Sequence, residues 1–283
     1  MRLLTAGSSV RARQGEPQKP GAIVPGFFCI RVGDGMQRRY WNGNQLKMIA
    51  MAAMTLDHLV SVFFPGYPRE PWILLAHCIG RMAAPIFWFL VAEGYHHTRD
   101  RRRYAGRLFA FSILSHFAYN FAFGIPFLPF QTSAFNQTSV IWALAWGLVA
   151  LCIRQSVQFQ EWQKTLLIVA ITMVAFCADW SSIAVLAIVE IGSNRGNFRK
   201  QMTGMMLWVS VYALVYLLFI DRVYGVLQLF TALTIPFLKG YNGERGSWKG
   251  MKWFFYLYYP LHLFLCGLIR LALHGDVGVL IGG

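Results

Sequence analysis

Charged residues are scarce in this chain, and their scarcity excludes an ordinary soluble domain. Asp, Glu, Lys and Arg make up 13% of the 283 residues, whereas hydrophobic residues make up 56%. A soluble domain carries about 25% charged residues. Long apolar blocks recur at intervals of roughly thirty residues, the spacing expected of successive membrane crossings and their connections. The composition therefore predicts an all-α fold, a polytopic membrane helix bundle.

Sequence motifs for several common chemistries are also absent. No Walker motif, GxGxxG after a strand, CxxCH or HExxH occurs, so nothing supports an ATPase, a dehydrogenase, a cytochrome c or a zincin. The five cysteines are scattered singly without a CxxC pair. Their arrangement predicts neither a disulfide framework nor a metal site.

Basic residues outnumber acidic ones, with 26 Lys and Arg against 12 Asp and Glu and a formal net charge of +14. In a soluble protein this excess would suggest nucleic acid, but there is no RNP-like motif, zinc finger or basic helix. The basic residues lie between the apolar blocks, where they act as signals of membrane topology. We therefore expect no nucleic-acid partner.

The first 35 residues differ from the rest of the chain. The stretch "RARQGEPQKPGAIVPG" is rich in Gly, Pro and charge, and its apolar patch is short and interrupted by proline, so it makes a poor signal peptide. We expect residues 1–35 to be a disordered or mis-assigned extension ahead of a start at Met36. Residues 36–276 are then a single transmembrane domain.

Nine apolar blocks are candidate membrane spans. They cover residues 45–64, 71–96, 104–124, 137–154, 162–178, 181–192, 200–220, 224–238 and 250–273. The sixth block is short for a full crossing, since a spanning helix needs about 20 residues. Leaving it out gives eight spans and moves the C-terminus to the other side of the membrane.

Positive charge alternates between successive connections. The connection "HHTRDRRRYAGR" is the most basic, and those after the sixth and eighth blocks are also basic, whereas the connections between them carry few or no Lys and Arg. Cytoplasmic loops carry the excess of Lys and Arg. With nine spans all basic loops fall on one side, which predicts a cytoplasmic N-terminus and a multi-pass protein of the cell inner (plasma) membrane.

Three ionisable residues from three distant segments reach membrane depth. At about 1.5 Å per residue, His58 lies roughly 20 Å from the inner end of its span, and Arg81 and His262 each lie about 15 Å inside theirs. Ionisable residues in a membrane are expensive and usually face the interior of the bundle or a cavity. Together with Asp57, they are candidate functional residues.

Structural explanations compete with this interpretation. Asp57 and Arg81 would also serve as an ion pair that joins two spans, and each histidine would also serve as a hydrogen-bonded core residue. For His77 the structural role is favoured. The polar stripe that contains His116 has helical spacing, and such stripes more often hold helices together than bind ligands.

Several segments strongly resemble the TraX family, which is named after a conjugal transfer protein, the F-pilin acetylase. These segments are "NGNQLKMIAMAAMTLDHL", "IGRMAAPIFWFLVAEGYHHT", "LQLFTALTIPFL", "YNGERG" and "KWFFYLYYPLHLFL". They occur in the family's order from about residue 42 to about residue 270. The residues at family pattern positions are Lys47, Asp57, His58, Gly80, Arg81, Pro85, Asn136, Asp179, Gln228, Asn242, Gly243, Pro260 and His262.

The resemblance implies a membrane acyltransferase that moves an acetyl group from acetyl-CoA to the N-terminal amine of pilin. The family is also distantly similar to membrane acyltransferases that acylate sugars at the cell surface, so a cell-surface glycan is a second candidate acceptor. The stretch "DWSSIAVLAIVEIG" departs from the family pattern after Asp179, so we assign Asp179 no specific role.

Acyl transfer to an amine or hydroxyl needs a base, stabilisation of an oxyanion and a route for an anionic donor. His58 is the candidate base, with Asp57 setting its tautomer or pairing with Arg81 instead. His262 is the second imidazole, and Arg81 either stabilises the oxyanion or holds Asp57. The basic residues expected to attract the CoA phosphates are Lys47, Arg99, Arg101, Arg102 and Arg103.

Two other classes of protein fit the same residues. A proton-coupled transporter or exporter also places Asp, His and Arg at membrane depth, although no convincing inverted repeat is present. A non-catalytic assembly factor of a conjugation system would use the ionisable groups only to join helices. No metal site is expected in any of the three.

Overall fold

A computed structural model describes residues 40–131 and 135–278, and every regular element within these residues is a helix. The predicted extension, residues 1–35, lies outside the described residues. Each of the nine apolar blocks corresponds to helical structure. The α-helices are α1 Gly43–Phe63, α2 Pro71–Gly80, α3 Ala83–His97, α4 Arg101–Phe123, α5 Val140–Arg154, α6 Glu161–Ala175, α7 Ser181–Ser193, α8 Phe198–Phe219, α9 Arg222–Gln228, α10 Ile235–Lys239 and α11 Met251–His274.

Helix α1 begins at a capping box that also joins the two ends of the domain's sequence. The Asn42 side chain accepts hydrogen bonds from the backbone N–H groups of Asn44 and Gln45, and the Gln45 side chain accepts from the Asn42 N–H. The backbone N–H of Gly43 donates to the Glu244 carbonyl at 2.8 Å. The two Asn-Gly segments of the sequence, at 42–43 and 242–243, therefore lie side by side.

The second apolar block is interrupted in its middle. Helix α2 ends at Gly80, and α3 begins at Ala83 after a turn at Arg81 and Met82. Pro85 lies in the first turn of α3, where the missing N–H costs no helical hydrogen bond. The break leaves Arg81 in the interior of the bundle, with its side chain 3% exposed.

The eighth block differs from the single helix predicted for residues 224–238. It folds as α9, a 3₁₀ helix at Leu229–Thr234 and α10. Pro236 lies in the first turn of α10 and has no N–H to donate, which favours a new helix start over continuation of the preceding turn. Gln228, at the end of α9, is fully buried beside this break.

Four helical stretches among the described residues are long and apolar enough to cross a membrane. They are Gly43–Phe63, Pro71–His97, Phe198–Phe219 and Trp253–His274, and two shorter apolar helices, Val140–Arg154 and Ser181–Ser193, accompany them. These helices agree with the membrane protein predicted from the composition. The core between the helices is filled mainly by apolar side chains.

Successive helices run between two ends of the bundle. At what we call the basic end, Gly43 contacts Glu244 and Arg195 pairs with Glu93. At the opposite end, Arg69 pairs with Asp221, and the Gln137 N–H donates to the Cys177 carbonyl. The most basic connections of the sequence, at 98–103, 194–200 and 239–249, meet at the basic end.

Candidate active site

Two histidines from α1 and α11 contact each other inside the bundle. Nδ1 of His58 lies 2.9 Å from Nε2 of His262, and the two rings are parallel with centroids 5.2 Å apart. Both side chains are buried. Phe123 lies edge-on to His58, while Tyr258 stacks on His262.

The neighbours of His262 determine which ring atoms carry protons. Nδ1 of His262 lies 3.1 Å from the Tyr258 carbonyl oxygen, which only accepts, so this nitrogen carries the proton. In the neutral ring, Nε2 of His262 is then an acceptor, and Nδ1 of His58 donates to it. Nε2 of His58 is left with its lone pair, and no hydrogen bond to this atom occurs among the described residues.

Asp57, although adjacent to His58, belongs to a different network. Its Oδ1 accepts from Nδ1 of His77 at 2.8 Å, and its Oδ2 accepts from Nη2 of Arg81 at 2.8 Å. Adjacent residues on a helix point about 100° apart, which is why the carboxylate and the imidazole diverge. The structure thus contains the Asp57–Arg81 pair and adds His77, for which the sequence had favoured a structural role.

Arg81 extends this network towards the broken eighth block. Its Nη1 donates to Oε1 of Gln228 at 3.2 Å, and its guanidinium lies over the Trp180 ring at 5.4 Å from the ring centroid. A buried charge is tolerated when it is paired and hydrogen-bonded. The arginine therefore joins α1, α9 and the residue that precedes α7 around one charge.

A small cavity connects the two networks. Its volume is about 30 Å³, room for about two water molecules. Asp57, His58 and Arg81 line it together with Tyr119 and Asp179. His262 does not line this cavity and contacts it through His58 and Tyr259, which do.

Asp179 reaches the cavity on a constrained connection between α6 and α7. Trp180 and Ser181, which follow it, both have positive φ angles of 62° and 49°. Such a conformation costs a non-glycine residue about 1–3 kcal/mol and persists only where the surrounding structure enforces it. Here the Asp179 N–H donates to the Thr138 carbonyl at 2.8 Å, which anchors the connection to the segment before α5.

A larger cavity of about 330 Å³ lies at the basic end. Its cationic lining residues are Lys47, Arg107 and Arg245, and aromatic rings of Tyr104 and Phe255 contribute apolar wall. Phe87 lines both cavities. Along α1, Lys47 precedes His58 by 11 residues, or about 16 Å. The two cavities are therefore neighbours along the same helices.

The predicted phosphate-attracting residues divide into two groups. Lys47 lines the larger cavity, whereas Arg99, Arg101, Arg102 and Arg103 are exposed at the start of α4 and are not part of its lining. Arg101 lies over the Tyr95 ring, and Arg103 pairs with Asp100 at 3.0 Å. Sequence reasoning missed Arg107 and Arg245, since their basic side chains carry no motif that distinguishes them from topology signals.

Other polar residues have local structural partners. Nε2 of His116 donates to the Phe127 carbonyl at 2.8 Å, which joins α4 to the connection that follows it. Glu93 accepts two hydrogen bonds from Arg195 at 3.0 Å, and this pairing raises the pKa of the Arg195 guanidinium. Within the described part of the chain, no three His, Cys, Asp or Glu side chains are placed to hold a metal ion.

Comparison with known proteins extends the resemblance seen in the sequence. The chain is 29% identical over 233 residues to the "Probable fimbrial assembly protein FimC, serogroup H1" of Dichelobacter nodosus, an alignment that covers 78% of this chain and 92% of that relative. No solved structure matches. A family model described as "TraX protein" matches residues 42–270. The chain belongs to the TraX family.

Proposed function

We propose that this protein is an integral-membrane acyltransferase that moves an acetyl group from cytoplasmic acetyl-CoA to an acceptor amine or hydroxyl. The observation that carries the proposal is the His58–His262 pair. It leaves a lone pair on Nε2 of His58, and His58 lines a small buried cavity next to a larger cationic one. An unprotonated imidazole nitrogen with a second imidazole behind it is suited to general base catalysis.

The larger cavity supports a bulky anionic donor. Its volume of about 330 Å³ lies within the range of about 300–1,000 Å³ found for small-molecule sites. Lys47, Arg107 and Arg245 would bind the phosphates of CoA, and the aromatic wall would bind apolar or planar parts of the donor. The thioester arm would then run along α1 past Phe87 to His58.

The small cavity would hold the reacting carbonyl carbon. Nε2 of His58 takes a proton from the acceptor, whose nitrogen or oxygen forms a bond to the thioester carbon. The carbon–sulfur bond then breaks and CoA leaves as a thiolate, which takes up a proton. Arg81 places a fixed positive charge beside the developing oxyanion, and such preorganised charge stabilises the transition state.

We place the basic end in the cytoplasm, because positive loops mark that side of the membrane. With nine crossings this orientation puts the N-terminus in the cytoplasm, and we propose the cell inner membrane as the location. The orientation also opens the larger cavity to acetyl-CoA, which is a cytoplasmic metabolite. The catalytic cavity is then served from the other end of the bundle by an acceptor that has already been exported.

The relative's name, a fimbrial assembly protein, favours the N-terminus of a pilin-type subunit as the acceptor. A cell-surface glycan is the second candidate acceptor. A non-catalytic role as an assembly factor is the alternative to an enzyme. Each makes a different prediction for transfer of label.

Transfer of labelled acetyl from acetyl-CoA tests the proposal. Membranes that contain the full chain are incubated with donor and with peptides that carry a free N-terminal amine or a hydroxyl, beside membranes that contain His58→Ala. Label in the acceptor with wild type and not with the variant is expected. Failure of the wild type to bind or cleave acetyl-CoA would contradict the enzyme and favour a transporter or an assembly factor.

A further inference from the structure

A groove at the basic end is separate from the two cavities of the candidate active site. Its volume is about 420 Å³, and none of its lining residues lines either of the other cavities. Its walls include Trp41, Asn44, Met48 and Trp248, and we call it the tryptophan groove. The groove is therefore a site that the proposed acetyl transfer does not use.

The start of α1 and the segment before α11 build the groove together. The Asn44 N–H donates to the Arg245 carbonyl at 3.0 Å, and Nδ2 of Asn44 donates to the Trp248 carbonyl at 3.2 Å. Gly246, between these two partners, has a φ angle of 94°, and a Cβ there would lie 2.9 Å from Nδ2 of Asn44. Only glycine combines this backbone conformation with such a close approach. The two walls of the groove are thus held together by specific contacts.

Asn44 leaves one hydrogen-bond acceptor unsatisfied in this groove. The residue is only 7% exposed, and its Oδ1 has no hydrogen-bond partner among the described residues. The Trp248 carbonyl only accepts, so the amide nitrogen of Asn44 must face it and the amide oxygen is the free atom. A buried acceptor without a partner costs free energy, which a bound donor would recover. The groove therefore fits a ligand with N–H or O–H groups.

The apolar part of the groove continues along the outside of α1. Met48 and Trp248 are exposed, and Ala52 and Leu56 are exposed four and eight residues after Met48, so they extend the same face of the helix. Tryptophan is enriched where a membrane meets water, and the Lys and Arg of the basic end mark the same boundary. A polar pocket at this depth above an apolar helix face is the shape that a phospholipid head group and acyl chain require.

We propose that the tryptophan groove binds a phospholipid that carries a primary ammonium group, namely phosphatidylethanolamine. The ammonium group has three N–H donors, one of which would reach Oδ1 of Asn44. The phosphate would lie towards Lys249, which follows Trp248 and is exposed, and an acyl chain would cover Met48 and Leu56. Phosphatidylcholine has the same net charge but only methyl groups on nitrogen. The tryptophan rings would attract either cation, so the N–H donors decide the preference.

Native mass spectrometry of the full chain in detergent tests this site, because it counts the lipids bound to each protein molecule. The protein is titrated with phosphatidylethanolamine, phosphatidylcholine and phosphatidylglycerol that carry identical acyl chains. We expect the first phosphatidylethanolamine to bind at least about 10-fold more tightly than phosphatidylcholine, since hydrogen bonds to charged groups are the stronger ones. Phosphatidylglycerol, which has hydroxyl donors but no cation, should bind more weakly than phosphatidylethanolamine.

Two variants of the groove and one matched control assign the binding to these residues. Asn44→Leu keeps the side-chain volume and removes the acceptor, so it should lose the preference for phosphatidylethanolamine. Trp248→Ala removes part of the wall and should weaken binding of all three lipids. Trp162→Ala is the control, because Trp162 is 60% exposed at the start of α6, also at the basic end, and lies outside the groove. This variant should bind lipid like wild type.

Three results would overturn the inference. The first is equal affinity of wild type for phosphatidylethanolamine and for either of the other lipids, and the second is an unchanged preference in Asn44→Leu. The third is equal lipid affinity in Trp248→Ala and Trp162→Ala, a comparison that still decides if Asn44→Leu does not fold. Because no acetyl-CoA is present in these titrations, the outcome is independent of the proposed acyltransferase function.

Discussion

Nδ1 of His58 and Nε2 of His262 lie 2.9 Å apart although 204 residues separate them in the chain. The contact fixes the position of α11 against α1 at membrane depth. It also turns His58 away from Asp57, its neighbour in sequence, whose carboxylate binds Arg81 and His77. The pair of adjacent polar residues in the first span thus serves two separate purposes, one imidazole network and one charge network.

Replacement of His58 should abolish most of the transfer activity. His58→Ala removes the only imidazole that lines the small cavity in the described part of the chain, and loss of a general base costs about 10²–10⁴-fold in rate. The measurement is kcat/KM for acetyl transfer, with acetyl-CoA affinity as the check on folding. His116→Ala is the control, because His116 binds only the Phe127 carbonyl outside the cavity. Equal activity of His58→Ala and His116→Ala would contradict the assignment of the base.

His262 is expected to act through His58, as a positioning residue. His262→Gln keeps a side-chain acceptor for the proton on Nδ1 of His58, whereas His262→Phe keeps the ring volume and loses the acceptor. Loss of the acceptor allows His58 to exchange tautomers, so its Nε2 lone pair is no longer secured. We therefore expect His262→Gln to retain several-fold more activity than His262→Phe, with KM for acetyl-CoA unchanged in both. Identical rates would show that the hydrogen bond does not set the tautomer.

Arg81 should be required for stability as well as for activity. Arg81→Ala leaves the buried Asp57 carboxylate without its cation, and removal of one partner of a buried pair costs about 3–5 kcal/mol. Thermal unfolding in detergent should show a strongly lowered midpoint. Arg69→Ala is the control. Arg69 pairs with Asp221, but its side chain is 67% exposed, and exposed ion pairs contribute only about 0–1 kcal/mol to stability. Similar midpoints for the two variants would contradict a buried charge network.

The sequence was sufficient to predict most helices because apolar blocks of membrane length leave the backbone few alternatives. It did not predict the interruption at Arg81 or the three short pieces between Arg222 and Lys239. Arg81 and Gln228, which lie at these two breaks, hydrogen-bond to each other although they are far apart in the chain. A contact between residues so far apart cannot be predicted from the local sequence pattern.

The candidate site was predictable only in part from the sequence. The sequence identified Asp57, His58, Arg81 and His262 as candidate site residues, because ionisable residues at membrane depth are uncommon. The sequence does not show how the helices are rotated against one another, and this rotation decides which of these residues are in contact. In the structure His58 hydrogen-bonds to His262, and Asp57 hydrogen-bonds to Arg81. Arg107 and Tyr119 were missed or left without a role, because basic and aromatic residues are common at these depths for other reasons.

Lys47 should contribute to donor binding through the phosphates of CoA. Lys47→Gln removes one of the three cations of the larger cavity, and we expect KM for acetyl-CoA to rise about 10-fold, since a charge-assisted hydrogen bond contributes about 1.5–3 kcal/mol. Transfer from acetyl-pantetheine, which has no phosphate, should be unaffected. Arg102→Gln is the control, because Arg102 is exposed and lies outside that lining. An equal loss of activity with acetyl-CoA and with acetyl-pantetheine would show that Lys47 does not act by binding the phosphates of CoA.

Gly80 should tolerate no side chain, because α2 approaches α1 at this residue. A Cβ on Gly80 would collide with the Asp57 side chain, including Oδ1, which accepts from His77. Gly80→Ala must therefore displace the carboxylate from His77 or Arg81, and we expect lower thermal stability together with reduced transfer. Gly106→Ala, in α4, is the matched control: a Cβ there meets no atom within 4 Å, and alanine favours a helix interior over glycine by about 1 kcal/mol. The same substitution should thus destabilise the protein at one glycine and stabilise it at the other, and equal unfolding midpoints for both variants would refute the close contact between Gly80 and Asp57.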